Sequence, residues 1–333
     1  MISRKFIIWA CGLLFVFGSC AEDMVKPIEN DKDAPGTVQD VKTESLPGAV
    51  KFTYTLPSDP DLLYVLAKYT NKTGKVMEFR SSFYTNSVTV EGFGDTDTYK
   101  VELYTVDRSE NRSQPQIVEV VPLTPPILSC YESLSMVSDF GGMTFEMDNK
   151  FKSDLAIYVC TPDELGDMVL AETFYSAREE IVYSVRGYDA VPRRFGIFLQ
   201  DKYGNETDTL FTELTPIYER ELDKTKFREM YLQNDSRVDS YDGKMEYVWN
   251  GRISKDGDSG GVGLHTGTGT KDGPAVFTFD LGVLAKLSRF ALWAIQDEKH
   301  FYNDMSPRRY EVWGCATEPN PDGSWDQWVK LLD

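Results

Sequence analysis

Val50-Lys51-Phe52-Thr53-Tyr54-Thr55-Leu56 decides the fold. Val50, Phe52, Tyr54 and Leu56 fall on one side of an extended chain, and Lys51, Thr53 and Thr55 fall on the other. That two-residue period belongs to a strand with one face on a core and one in water. One unit further along, Met143, Phe145 and Met147 repeat the alternation, again just after glycine. Val101, Leu103 and Thr105 lead into Asp107-Arg108-Ser109-Glu110-Asn111-Arg112-Ser113. In the same way, Phe195, Ile197 and Leu199 lead into Asp201-Lys202-Tyr203-Gly204-Asn205-Glu206-Thr207. Each copy closes on Leu-Thr-Pro, at Leu123 to Pro125 and at Leu214 to Pro216. A repeat built of short alternating strands and Gly/Asn/Asp turns predicts two tandem β-sandwiches.

The D-x-x-x-N turn late in each copy resembles the last hairpin of fibronectin type III and related immunoglobulin-like domains. Asn and Gly accept the left-handed backbone that such a tight connection needs. The boundaries expected are 37–123 for the first domain and 124–216 for the second. Pro122, Pro125, Pro126 and Pro216 are expected to stiffen the links, and the resemblance implies a spacer role for both copies.

Composition excludes several functions. The chain has 333 residues, 41% hydrophobic and 26% charged, which fits neither a disordered chain nor a membrane-embedded bundle. Acidic residues outnumber basic ones by 53 to 35, a net charge of −18, and this argues against nucleic acid as a partner. Five cysteines and two histidines are too few and too scattered for a zinc cluster or a disulfide framework. H-E-x-x-H and P-loop patterns are missing, and His265 and His300 leave few ways to assemble a Ser-His-Asp arrangement. The expectation is a protein that is not an enzyme, with no catalytic residues and no cofactor.

Met1 to Cys20 has the layout of a secretory signal. Arg4 and Lys5 precede an apolar run from Ile7 to Phe17, which ends in Gly18-Ser19-Cys20. The run is too short for a spanning helix. The small residues before Cys20 resemble the lipobox of bacterial lipoproteins, although Phe17 stands where leucine is usual. This implies a signal peptide at 1–20, lipidation of Cys20 and attachment to the membrane by lipid alone. Ala21-Glu22-Asp23 resembles the surface-export signal of Bacteroidota lipoproteins, which implies an outer-membrane location facing the cell exterior. Residues 21–36 read as a flexible tether.

From 217 to 333 the composition changes. Tyr218 to Leu232 is expected to form one short helix, with Leu222, Phe227, Met230 and Tyr231 on an imperfect apolar face. Apart from Trp9, every tryptophan lies here: Trp249, Trp293, Trp313, Trp325 and Trp328. Three stretches carry a resemblance: Val248-Trp249-Asn250-Gly251; Ala275 to Gly282 followed by Leu287 to Trp293; and Pro307 to Gly314 with Trp325 after it. Together they resemble the discoidin-like (coagulation-factor type C, galactose-binding-like) jelly roll, and more closely a C-terminal domain that Bacteroidota lipoproteins carry after two immunoglobulin-like modules. Asn250 stands where the pattern has Asp. The chain stops at Leu332-Asp333, where the resemblance implies further closing strands, so an incomplete domain is expected. The fold class is therefore all-β: two immunoglobulin-like sandwiches and a discoidin-like jelly roll.

Sugar rings pack their C–H faces on flat aromatic side chains, and their hydroxyls need polar groups at the rim. The candidate ligand residues are Trp249, Asn250, His265, Trp293, His300, Phe301, Tyr302 and Arg308. Trp293 is expected to end a strand. Trp249 and Trp313 have a rival reading as core anchors, since tryptophan is mostly buried. Asp256 and Asp258 around Gly257 offer hard oxygen ligands for calcium, with a solvated acidic turn as the commoner outcome. Cys160, which closes the apolar run Ile157-Tyr158-Val159, is expected to be a buried thiol; Cys130 and Cys315 are the other two that remain beside Cys20. The resemblance implies a place in a polysaccharide-utilisation system, with a glycan, an outer-membrane transporter and its glycan-capturing lipoprotein as partners. The alternative is a structural or protein-interaction component of the transporter complex.

Overall fold

Backbone polar groups and an alternating apolar face set the architecture, which is all-β. The structure, a computed structural model, describes residues 31–238, 240, 242–253, 263–266, 274–294 and 307–332. The chain divides after Pro216 into two compact units. The first holds two sandwiches of the same design. In chain order the first sandwich has β1 (Gln39–Leu46), β2 (Ala49–Thr55), β3 (Leu62–Thr70), β4 (Val76–Ser82), β5 (Ser87–Glu91), β6 (Tyr99–Asp107) and β7 (Gln116–Val120). They form a 3-stranded sheet β1-β2-β5 and a 4-stranded sheet β4-β3-β6-β7, antiparallel throughout. The second sandwich opens with α1 (Pro126–Ser133). It continues with β8 (Ser135–Asp139), β9 (Gly142–Asp148), β10 (Leu155–Pro162), β11 (Met168–Ser176), β12 (Glu180–Arg186), β13 (Arg193–Asp201) and β14 (Leu210–Leu214). Its sheets are β12-β9-β8 and β11-β10-β13-β14.

The alternation read from the sequence is the alternation of burial. Val50, Phe52 and Tyr54 on β2 face the first core, and Met143, Phe145 and Met147 on β9 face the second. Val101 and Leu103 on β6, and Phe195, Ile197 and Leu199 on β13, cover those faces from the opposite sheets. Tyr69, Phe93 and Tyr99 add an aromatic cluster to the first core, with Phe93 stacked on Tyr69 at 4.4 Å.

Helix α1 was not foreseen. Pro125 and Pro126, read as link stiffeners, start it: Pro126 sits in the first turn, where a missing N–H costs nothing, and Pro125 O accepts from Leu128 N and Ser129 N. Ile127 and Cys130, three apart on one helical face, then enter the second core. Burial pushes the Cys130 thiol up to about 11. Cys160 departs from expectation. It lies between the buried Val159 and Thr161, so the strand period turns it to the outer face, where it is only half-buried.

In the second unit the strands are short: β15 (Arg228–Met230) pairs with β16 (Thr278–Asp280), and β17 (Val312–Gly314) pairs with β18 (Val329–Leu332). The helix expected over Tyr218 to Leu232 does not form. Asp223 accepts from Thr225 N and Oγ1 and caps one 3-10 turn, Lys224–Lys226, after which the chain extends into β15. Its apolar residues keep three-four spacing within Tyr218–Leu222 and within Phe227–Tyr231, but the five-residue step from Leu222 to Phe227 breaks the single buried face that a longer helix needs. The strand expected to end at Trp293 is likewise unformed. Leu287 to Trp293 runs without ladder partners among the described residues, and Trp293 is 61% exposed.

Phe52→Ala and Phe145→Ala should each cost about 3–5 kcal/mol in urea unfolding of the affected sandwich, because both rings are fully buried. A loss below ~1 kcal/mol would show that the ring is not a core element. Cys130 should resist thiol reagents at pH 8 in the folded chain and react once unfolded. The raised thiol makes stability fall as pH climbs from about 9, the ordinary thiol value, towards about 11. A stability flat across that interval in the protein, and falling in Cys130→Ala, would contradict this.

Candidate functional site

Two 3-10 turns of the second unit form the walls of an open surface depression. Lys224–Lys226 supplies one wall and Met245–Val248 the other. Met245 is fully buried and pins the second turn. Phe227, just after the first turn, packs edge-on against Trp249 at 5.7 Å, and Phe279 on β16 meets the same indole at 5.2 Å. Gly282 closes the base: its left-handed backbone lets it approach Lys226 O so closely that a Cβ would stand 2.3 Å away, and its N–H donates to Asp280 Oδ1 at 2.8 Å. The Phe279-Asp280-Leu281-Gly282 stretch quoted for the discoidin-like resemblance is thus the part of the sequence that brings β16 against the first turn.

Lys224, Thr225, Glu246, Tyr247, Trp249 and Asn250 line the resulting open depression of about 370 Å³. Trp249 has one side in the Phe227–Phe279 cluster and the other at the depression. Asn250 turns its Oδ1 to Arg252 N at 2.8 Å. Lys244 stands over the Tyr247 ring at 5.9 Å. An apolar floor with amide, hydroxyl and charged groups at its edge suits a polyhydroxylated ligand held weakly.

Of the other candidates, His265 is half-buried, with its backbone against Gly243. Trp293 and Arg308 are exposed and do not line the depression. His300, Phe301, Tyr302, Asp256, Asp258 and Cys20 lie outside the described residues.

A second aromatic group went unread as a surface feature. Trp313 and Trp325 meet edge-to-face at 4.9 Å, and Trp328 follows Trp325 at 6.2 Å. Glu311 accepts from Trp313 Nε1 at 3.0 Å and from Lys330 Nζ at 2.8 Å, and Lys330 also sits 5.4 Å above the Trp313 ring. Trp325 remains 46% exposed. The signal was there in Trp325-Asp326-Gln327-Trp328, two indoles in a polar turn. In the first sandwich, Asp31, Asp61 and Asp107 each bring a carboxylate oxygen within 4.8 Å of the others. Asn111 Nδ2 donates to both Asp31 Oδ1 and Asp107 Oδ2, which accounts for the approach of two of them without an ion.

Residues 35–122 match the family described as Domain of unknown function (DUF4959), residues 123–225 match Domain of unknown function (DUF5126), and residues 249–333 match a further Domain of unknown function (DUF5000). No curated protein matches the chain. A solved SusE-like protein is 99% identical where the two align, over 34% of this chain and 64% of that one, with a TM-score of 0.33. The chain thus spans only 64% of the length of that relative. A two-domain fibronectin type-III segment from chicken tenascin aligns at 12% identity over 54% of this chain and 99% of its own, with a TM-score of 0.26. The fibronectin type-III domain of human collagen α-1(XX) aligns at 14% identity over 29% and 93%, with a TM-score of 0.25.

Trp249→Ala should lower the thermal midpoint of the second unit, since it empties the space between Phe227 and Phe279, whereas Asn250→Ala should leave it unchanged. Differential scanning calorimetry checks this; equal midpoints for both variants would remove Trp249 from the packing of the site.

Proposed function

We propose that the chain is a non-catalytic, lipid-anchored component of a surface polysaccharide-uptake system of Bacteroidota, placed in the outer membrane and facing the cell exterior. The observation that carries this reading is the 99% identity to a SusE-like protein over the aligned third of the chain. Cys20 bears the lipid, residues 21–36 join it to the sandwiches at 37–123 and 124–216, and these present residues 217–333 to the glycan. The presented part is a discoidin-like module. Trp249 and Asn250 form one contact surface, and His265, Trp293, His300, Phe301, Tyr302 and Arg308 are the further ligand residues. Stacking supplies the affinity and the polar edge supplies orientation, so single sites are weak and many copies on one cell act by avidity. The outer-membrane transporter and its glycan-capturing lipoprotein are the protein partners.

A second reading has its own support. Leu284, Leu287, Phe290, Leu292 and Trp293 are all exposed in one stretch of the second unit, and such a row suits a protein interface. In that case the unit docks on the transporter complex.

Affinity gel electrophoresis of the chain from Asp23 onward, against a panel of neutral polysaccharides, separates the two. The glycan reading predicts retardation by at least one polysaccharide and a loss of about tenfold in affinity, ~1.4 kcal/mol, in Trp293→Ala or Tyr302→Ala with the fold intact. Retardation that survives both substitutions overturns these loops as the contact. Silence with every polysaccharide, together with crosslinking to the transporter on intact cells, establishes the protein-interface reading.

A further inference from the structure

We propose that the Asp–Asn turn closing each sandwich is a latch onto the segment that precedes it, so that the two sandwiches move as one rigid body and residues 31–36 are fastened to the first of them. The two turns are built alike. In the first, Asp107 Oδ1 accepts from Ser109 N and Asn111 N, and Oδ2 accepts from Asn111 Nδ2. In the second, Asp201 Oδ1 accepts from Tyr203 N and Asn205 N, and Oδ2 accepts from Asn205 Nδ2. In both, the amide hydrogen left over points out of the turn, and in both it finds the preceding part of the chain. Asn111 Nδ2 donates to Asp31 Oδ1 at 3.0 Å; Asn205 Nδ2 donates to Gly92 O at 3.2 Å.

The second latch has a receiver shaped for it. Tyr203 lies flat on Gly92, where a Cβ would stand 2.8 Å from the ring, and its hydroxyl donates to the Glu91 carboxylate. Gly94 leaves room for Asn205, whose Oδ1 would be 2.6 Å from a Cβ there. Asn205 is 6% exposed, so its bond to Gly92 O is shielded from water. The receiver itself cannot yield, because Phe93 between the two glycines is stacked into the first core. A second contact blocks rotation about the first: Leu123, at the end of the first sandwich, is bonded to Leu46 O and Gly48 N, and Gly48 packs on the start of the second, where a Cβ would stand 3.1 Å from Pro126 Cδ and 3.3 Å from Pro125 Cα. Two separated contacts on a short connection leave no hinge between the sandwiches.

The first latch works at the chain's entry. Asp31 N donates to Ser109 Oγ, and further along Thr105 Oγ1 donates to Gly36 O at 2.6 Å while Val38 is buried. Residues 31–36 are therefore part of the sandwich surface.

Pulsed dipolar electron paramagnetic resonance on the full chain tests this, with nitroxides at the exposed Tyr84 and Leu165 and with Cys11, Cys20, Cys160 and Cys315 changed to Ser. The parent should give one narrow distance distribution. Gly94→Ala, which intrudes on Asn205 without straining a left-handed backbone, should widen it at least twofold, as should Tyr203→Ala. Circular dichroism identifies any variant that fails to fold, and the other then decides. A broad distribution in the parent, or an unchanged width in the folded variants, overturns the latch. A nitroxide at Lys32 should be immobile in the parent and mobile in Asn111→Ala; equal mobility overturns the first latch.

Discussion

A side-chain oxygen that folds back to accept the N–H groups of its own turn closes the tight connections of both sandwiches. Asp107 and Asp201 do this in the last hairpins. Asp163 accepts from Leu165 N and Asp167 N between β10 and β11, and Asn71 and Asn149 accept from the residue four further on. A reversal this tight points several N–H groups inward, where no strand can reach them, and each must have a partner. Supplying that partner from within the turn frees the four-stranded sheets from depending on loop packing for their register. Asp107 is fully buried yet satisfied by three donors, so the turn is a fixed structure and not a flexible tip. Only because the turn is fixed can its last residue act on something outside it.

Much of this was legible in the sequence where one physical signal dominates. The period-two runs around Phe52 and Phe145 mark strands because one face must be dry, and the matched Asp-x-x-x-Asn runs mark hairpins because that chemistry has few other uses. What was illegible depended on contacts distant in sequence. Helix α1 has no polar cap and is short, and the second core that rewards Ile127 and Cys130 lies far along the chain. Tyr218 to Leu232 offered an imperfect helical face, yet Asp223 caps only a single 3-10 turn and Phe227, which ends it, is drawn to Trp249 and Phe279. Cys160 was misread because the run Ile157-Tyr158-Val159-Cys160 is apolar on both faces, so the pattern alone did not say which side faces water.

The candidate site was legible only in part, for a related reason. Trp249 and Asn250 are neighbours in sequence, and their shared depression follows from local structure. Its far wall, Lys224 and Thr225, comes from a segment read as helix. Trp313 reads as a core anchor because tryptophan is mostly buried, but Glu311 and Lys330 hold its polar edge, and Trp325 beside it stays half in solvent.

In the proposed function the sandwiches present and residues 217–333 recognise. The most direct measurement is a comparison of polysaccharide binding by the full chain and by a chain ending at Pro216, both immobilised through the N-terminal side. Binding confined to the full chain is the predicted result. Equal binding by the shorter chain would contradict the account and move recognition into the sandwiches.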